Sequence, residues 1–326
     1  MASHLPPGLT ASLARLTQGL SRRDLSTRAA SISATYRSGG SSAVIRSDGD
    51  ALAYALARMP ATYAAVAACL AALNETRTDF TPASLLDVGA GPGTATWAAA
   101  EAFPQLADFT LLDANPALRT LALALVDGDP RLGTLRYDAG DARKALASAG
   151  DSDLVIASYV IGELRDNDRS NFADALWAKT RDTLLVVEPG TPAGYGRIID
   201  LRARLIAAGA HLIAPCPHDQ ACPLTSPDWC HFTQRLARSR DHKQVKGAEV
   251  PFEDEKFSYV ALARSPPTHR PTARVLAQPM VSKVEVTAKL CSNNGQAALA
   301  KTPRRDKAAY ALARRLNWGD AIGAGE

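Results

Sequence analysis

The stretch "SLLDVGAGPGTATW", Ser84–Trp97, decides the fold. It opens as a short apolar run closed by Asp87. It then passes through Gly89, Gly91 and Gly93 into a helical pattern. A strand that turns into a helix through glycines starts a βα unit. Two phosphate-binding readings of this turn fail. The G-x-G-x-x-G fingerprint is broken because Thr94 occupies its last position, and no G-K-[ST] follows.

What remains is acid-x-G-x-G-x-G, the pattern by which methyltransferases hold S-adenosylmethionine (SAM). Glycines carry no Cβ, so the backbone turns tightly and approaches the ligand. Asp87 ends the strand, where α/β sheets bind ligands, and is expected to hold the methionine ammonium, usually through water. Asp113, in "FTLLDANP" 24 residues beyond Gly89, suits the ribose hydroxyls. Asp141, in "YDAGDA", is placed to accept from the adenine amino group. The expected cofactor set is Asp87, Gly89, Ala90, Gly91, Gly93, Thr94, Asp113, Ala114, Asp141 and Ser158.

No catalytic residue stands out. "ASYVIGEL", Ala157–Leu164, occupies the place of the fourth methyltransferase motif but lacks Asn/Asp-Pro-Pro-aromatic. Neither Ser158 nor Glu163 is an obvious base, and no cysteine nucleophile lies beside them. Glu188 and Pro189 end a later strand and are expected to shape the substrate mouth. Methyl transfer can run on positioning alone, so activity is not excluded.

Outward from the glycine turn, "FTLLDA", "DLVIASYV" and "TLLVVEPG" read as further buried strands, alternating with helical segments. The alternation implies a doubly wound, mostly parallel sheet: an α/β, Rossmann-like SAM-dependent methyltransferase fold. "AGYGRIIDLRARLIAAGA" continues it as a helix ending at Gly209, and Lys256–Arg264 reads as a late antiparallel strand. Residues 1–80 read as helices, with a capping-box-like start at Ser21 and Asp24 and a break at Pro60. The expected division is an N-terminal helical region, 1–80, and a methyltransferase-like domain, 81–264, carrying a cysteine-rich metal-binding insertion at 214–247. A small basic β appendage with a helical tail, 265–326, completes it. The sequence has no internal repeats.

Length and composition suit a soluble globular protein: 326 residues, 46% hydrophobic and 21% charged. No apolar run approaches the roughly 18 residues of a membrane span, and the first residues lack the cationic-then-apolar order of a secretory signal. A cytoplasmic, reducing location is expected, with no membrane partner. Five cysteines in such a compartment argue against a disulfide scaffold. From Arg235 onward there are 17 Lys+Arg and 9 Asp+Glu, a net of +8, against −4 for the first 234 residues. A basic C-terminal third suits an anionic partner such as RNA.

Three cysteines, Cys216, Cys222 and Cys230, crowd into "APCPHDQACPLTSPDWCHF" with the spacing C-x5-C-x7-C. This is neither the paired C-x2-C of zinc ribbons nor the zinc-deaminase pattern. Proline after cysteine recurs in iron–sulfur loops. A fourth thiolate would complete a cubane cluster or a structural zinc site. Cys69 and Cys291 are the remaining cysteines. Cys69 reads as a small core residue, and Cys291 ends a strand at a turn in "KLCSNNGQ", a better place for a ligand. His218 and His231 are alternatives that would give a Cys3His zinc site. Spacing alone leaves the metal open.

"DVGAGPGTATWAAAEAFP", "VEPGTPAGY", "APCPHDQACPL", "DWCHFTQRLARSRDHKQVKG" and "FSYVALAR" together resemble the bacterial members of the mitochondrial ribosomal small-subunit methyltransferase-like family. The resemblance runs from about Ala51 to Asp320. It implies a [4Fe-4S] cluster held by Cys216, Cys222, Cys230 and Cys291. It also implies binding to the small ribosomal subunit and its 16S rRNA during assembly, with the basic segment and tail on RNA or supporting the cluster. No DNA partner is expected.

Overall fold

The computed structural model describes residues 4–140 and 142–323; Asp141, one of the expected cofactor residues, lies outside them. In chain order the elements begin α1 (Pro7–Thr17), α2 (Arg22–Arg37), α3 (Asp48–Thr76), β1 (Ser84–Val88), α4 (Thr94–Ala102), β2 (Asp108–Asp113), α5 (Pro116–Val126) and β3 (Arg136–Ala139). They continue with α6 (Ala142–Ser148), β4 (Ser152–Ser158), α7 (Asp166–Ala178), β5 (Thr180–Pro189), α8 (Pro192–Ala207), β6 (His211–Ala214), β7 (Phe232–Ala237), α9 (Arg240–Lys246) and β8 (Phe252–Ala263). The last are β9 (Ala273–Val275), β10 (Met280–Val281), β11 (Glu285–Ser292), β12 (Ala297–Pro303), α10 (Lys307–Ala313) and β13 (Ala321–Ile322).

Two compact units share the chain. The first holds Met1–Leu70, Thr81–Leu185 and Gln234–Glu255; the second holds Ala71–Phe80, Val186–Thr233 and Lys256–Glu326.

In the first unit the strand order is β3-β2-β1-β4-β5. β1 is parallel to both β2 and β4, and β2 is parallel to β3. Every residue of β1 is buried, which is why the run reads as continuously apolar up to Asp87. α5 starts where Asn115 Oδ1 accepts from the amides of Ala117 and Leu118, with Pro116 at its first position. α1 packs on α5, and α2 packs on α9.

α3 departs from the expected break at Pro60: it runs unbroken from Asp48 to Thr76. A mid-helix proline costs about 3 kcal/mol. Both flanks are buried, with Met59 at 1%, Ala61 at 0% and Val66 at 0% exposure. Burying such apolar side chains returns about 1.5–3 kcal/mol for each large one, enough to override the break. The joined helix is therefore long and apolar enough to cross a membrane by length and composition, with a mean hydropathy of 1.5 over an 18-residue window. Of that window, 61% is buried inside the protein, as in a core helix.

In the second unit the end of β5 leads to β8 and then β6. β6 and β8 are antiparallel, pairing His211 with Ala263 and Leu212 with Leu262, followed by a register shift. The late antiparallel strand is therefore present, and β6 is an additional partner the sequence did not announce. A separate five-stranded sheet, β10-β11-β9-β13 with β12 also on β11, forms the appendage. The cysteine stretch is irregular from Pro215 to His231. The insertion that contains it also holds β7 and α9. The tail helix α10 covers only Lys307–Ala313, shorter than the helical pattern suggests.

Candidate functional sites: a glycine turn and a thiol cluster

Asp87 is fully buried at the end of β1. Its Oδ2 accepts from the Thr96 amide at 3.1 Å and the Thr96 hydroxyl at 2.8 Å. Its Oδ1 has no partner among the described residues. Burial, reinforced by the charge of Asp113, pushes the carboxyl up to about 7. A buried carboxylate oxygen without a donor is suited to a cationic ligand.

Gly89, Gly91 and Gly93 have φ of +72°, +54° and +79°, the left-handed region that glycine alone occupies without strain. Gly93 supplies the last residue before α4. At Gly89 a Cβ would stand 2.5 Å from Val160 Cγ2, so this glycine also serves packing. Asp113 pins the same turn: its Oδ2 accepts from the Gly91 amide at 2.8 Å and its Oδ1 from the Asn115 amide at 2.8 Å. Tyr137 donates to the Gly91 carbonyl at 2.7 Å. Ala90 and Thr94 are buried in the turn, Ala114 is exposed and Ser158 is half-buried at the end of β4. Asp87, the three glycines and Asp113 thus meet at one turn, held by the Asp113–Gly91 and Asp87–Thr96 hydrogen bonds.

The sequence missed the supports of this turn. Asn115 Nδ2 donates to the carbonyls of Ser42 and Ile45. Glu163 accepts from the Ser42 amide and hydroxyl at 3.2 and 3.1 Å. Burial raises the Glu163 carboxyl above its ordinary range. Beside Ser158, Tyr159 has a left-handed backbone, φ +57°, a conformation that costs a non-glycine residue about 1–2 kcal/mol. Its hydroxyl donates to Glu255 Oε1 at 3.1 Å, and Arg58 lies 3.4 Å from the same oxygen. The tyrosine at the fourth-motif position is thus committed to a structural network.

The cysteines meet in the second unit. Cys216, Cys222 and Cys230 line one cavity of about 20 Å³ together with Tyr195, Arg202 and Phe232. That is room for about one water-sized occupant. Burial raises the Cys230 thiol, and the charges of Cys216, Cys222 and Cys291 raise it further. Cys291 is pushed up to about 12 by burial, then by Cys216 and Cys222. Each of these four thiols therefore acts electrostatically on at least one of the others. Among the described residues, no group of three or more His, Cys, Asp or Glu side chains is arranged to hold a metal ion. Three thiols line the small cavity, and Cys291 acts on two of them electrostatically; thiols of this kind are the donors that thiophilic metals take.

The alternatives separate. His218 Nε2 lies 3.4 Å from Cys291 Sγ. His231 stacks on Trp229, with ring centroids 5.1 Å apart, and meets Trp318 edge-on at 4.9 Å. Cys69 is a fully buried core residue of α3. Tyr195 Oη, 3.2 Å from Cys222 Sγ, and the buried Arg202 and Arg274 were not anticipated. The one signal was an arginine among apolar residues at helical spacing, Ile198, Leu201 and Leu205, in α8.

The basic third is less free than its charge count suggests. Arg235 forms a two-point pair with Asp254, while Arg238 and Lys246 share Glu253. On the appendage, Arg305, Lys307 and Arg315 are exposed and have no ion-pair partner among the described residues.

The β3-β2-β1-β4-β5 order, parallel from β3 through β4, with a glycine turn after β1 and a buried acid at its edge, defines a methyltransferase-like α/β fold. A family model described as mitochondrial small ribosomal subunit Rsm22 matches residues 48–323, and the chain belongs to that family. The human mitochondrial ribosome assembly protein METTL17 is 29% identical over 298 residues, covering 84% of this chain and 63% of that protein. The mitochondrial Rsm22-cox11 tandem protein 2 of fission yeast, Schizosaccharomyces pombe, is 24% identical over 328 residues, covering 84% of this chain and 43% of that protein. The chain thus spans less than two thirds of these relatives. Among solved structures, magnesium protoporphyrin IX methyltransferase from Synechocystis with bound SAM overlays with a TM-score of 0.40 at 12% identity. That overlay covers 81% of this chain and 100% of that one.

Proposed function

We propose that the chain is a bacterial small-subunit assembly protein that binds SAM at the glycine turn. It carries a four-thiolate metal centre on Cys216, Cys222, Cys230 and Cys291. The observation that carries this reading is the family match over residues 48–323, which spans both the glycine turn and all four cysteines. The orphaned Oδ1 of Asp87 supports SAM through its ammonium, and the thiol-lined cavity supports the metal. We assign the metal as a [4Fe-4S] cluster, with zinc as the alternative. The partners are the small ribosomal subunit and 16S rRNA in the cytoplasm, with the exposed cations of the appendage on phosphates. The division into 1–80, 81–264 and 265–326 is part of this reading.

A second reading, a non-catalytic assembly factor, is favoured by Tyr159, whose hydroxyl is held by Glu255 rather than offered to a substrate. Oxygen-free purification tests the metal: a brown protein with about four irons per chain supports the cluster. A colourless protein with one zinc defeats it. Comparing 16S rRNA methylation with and without the gene separates enzyme from assembly factor.

A further inference from the structure

Two fully buried guanidiniums stand at the thiol cluster. Arg202 is 3% exposed and Arg274 is 1% exposed. Arg202 lines the cavity with Cys216, Cys222 and Cys230. Its Nη2 donates to the carbonyls of His218 and Gln220, at 3.1 and 2.6 Å, within the loop between Cys216 and Cys222. Arg274 sits opposite Cys291 in the antiparallel pairing of β9 with β11. Residues directly opposite in such a pair project on the same face. Arg274 Nε donates to the carbonyl of Pro215, the neighbour of Cys216, at 2.9 Å, and its Nη1 donates to the carbonyl of Gly319 at 2.8 Å.

Among the described residues, neither charge has a buried carboxylate partner. No carboxylate pairs with Arg202, and Arg274 has one ion pair, to Glu75 at 4.0 Å, whose own side chain is 57% exposed. Each guanidinium also keeps one buried N–H group without an acceptor, Nε of Arg202 and Nη2 of Arg274. Burying two unpaired cations is costly, and folds retain such groups when an anion completes them. Carbonyl contacts satisfy hydrogen bonds but supply no negative charge.

We propose that Arg202 and Arg274 are the charge-compensating residues of the four-thiolate centre. This rests on the metal reading above. Four thiolates on a divalent ion, or on an oxidised cubane, carry about two net negative charges. Two fixed guanidiniums match that charge, and their free N–H groups are the donors for N–H···S bonds to the ligand sulfurs. Hydrogen bonds to the ligands and neighbouring charge are the levers by which a protein tunes a metal–sulfur centre. The pair therefore selects an anionic all-thiolate centre over one of lower charge. Both arginines are positioning residues, acting on the metal through the sulfurs.

The test uses the full chain, stripped of metal and kept oxygen-free. Co²⁺ is titrated and followed by thiolate-to-cobalt absorption. The expected result is a Kd raised roughly tenfold or more in R202M and in R274M, the scale of one lost charge interaction at partly screened distance. R202K and R274K should recover most of that loss, because they restore charge without the planar fork. In a C291H background the centre carries one negative charge fewer, so the Arg→Met loss should shrink. A purely structural arginine would give the same loss in both backgrounds. The cycle and the lysine variants keep the test decisive if a methionine variant folds poorly. Met variants within twofold of the parent, or lysine variants as weak as methionine, overturn the inference. If the parent chain binds no Co²⁺, the metal reading falls first and takes the inference with it.

Discussion

Asp87→Asn should change the sign of its stability effect with pH. In the ligand-free protein the Asp87 carboxyl is moved by burial from 3.8 to about 7. That is ~3 units, or ~4 kcal/mol at 1.36 kcal/mol per unit. The group's folded value is above its unfolded one. The unfolded chain therefore loses its proton first, and stability falls as pH rises from about 4 towards 7, then levels. Asparagine cannot ionise and escapes this loss. It does place a buried NH₂ at the orphaned Oδ1 position and weakens the Thr96 contacts, at about 1–2 kcal/mol in all. At pH 5 the wild type has already lost about 1.6 kcal/mol of this, which offsets the asparagine cost, so D87N should lie within about 1 kcal/mol of wild type there. At pH 8 it should be more stable by about 1–3 kcal/mol. Urea unfolding followed by tryptophan fluorescence at both pH values reads the difference. A D87N penalty of the same size and sign at pH 5 and pH 8 would refute the idea that Asp87 is a strained buried acid awaiting a cation.

The same acid predicts that SAM binds more tightly as pH rises through 7, because the ammonium needs the carboxylate; calorimetry showing a flat pH profile would count against Asp87 as the ammonium's partner. Gly89→Ala should destabilise the protein by about 2–4 kcal/mol, from the left-handed backbone and the clash with Val160, and adding Val160→Ala should return part of it in a thermal melt. Cys222→Ser should lower the melting temperature of metal-loaded protein and leave metal-free protein within a degree or two; equal melts of the two loaded proteins would remove Cys222 from the centre. Replacing Arg305, Lys307 and Arg315 with Gln should weaken 16S rRNA binding and flatten its salt dependence by roughly one unit of slope per lost phosphate contact. Filter binding across salt concentrations that leaves the slope unchanged would move the RNA surface elsewhere.

The glycine turn and the strands β1, β2, β4 and β5 were legible because their physics is local, whereas β3 has one buried residue and no apolar run. Buried parallel strands read as unbroken apolar runs, and the left-handed turns demand glycine. The helix break at Pro60 was misread because a local penalty lost to tertiary burial on both flanks. β6, β7 and α9 were hidden in a segment whose Pro, Asp and Ser content signals loop; their pairing with β8 and packing on α2 are long-range. The cysteine cluster was legible from residue type and spacing, and the metal proposed for it rests on that donor set. The arginines that stand with them did not, because a buried Arg is distinguished only by the absence of an acid in three dimensions.

The central claim is that one chain joins a SAM site and a thiolate centre in service of the small ribosomal subunit. The most direct measurement is sucrose-gradient sedimentation of extracts from a strain lacking the gene, complemented with wild type, G91D or C222S. The account predicts that small-subunit precursors accumulate in the deletion, clear with wild type, and persist with C222S, the wild-type protein sedimenting with the precursor. A normal small-subunit profile in the deletion strain, with the protein remaining at the top of the gradient, would contradict it.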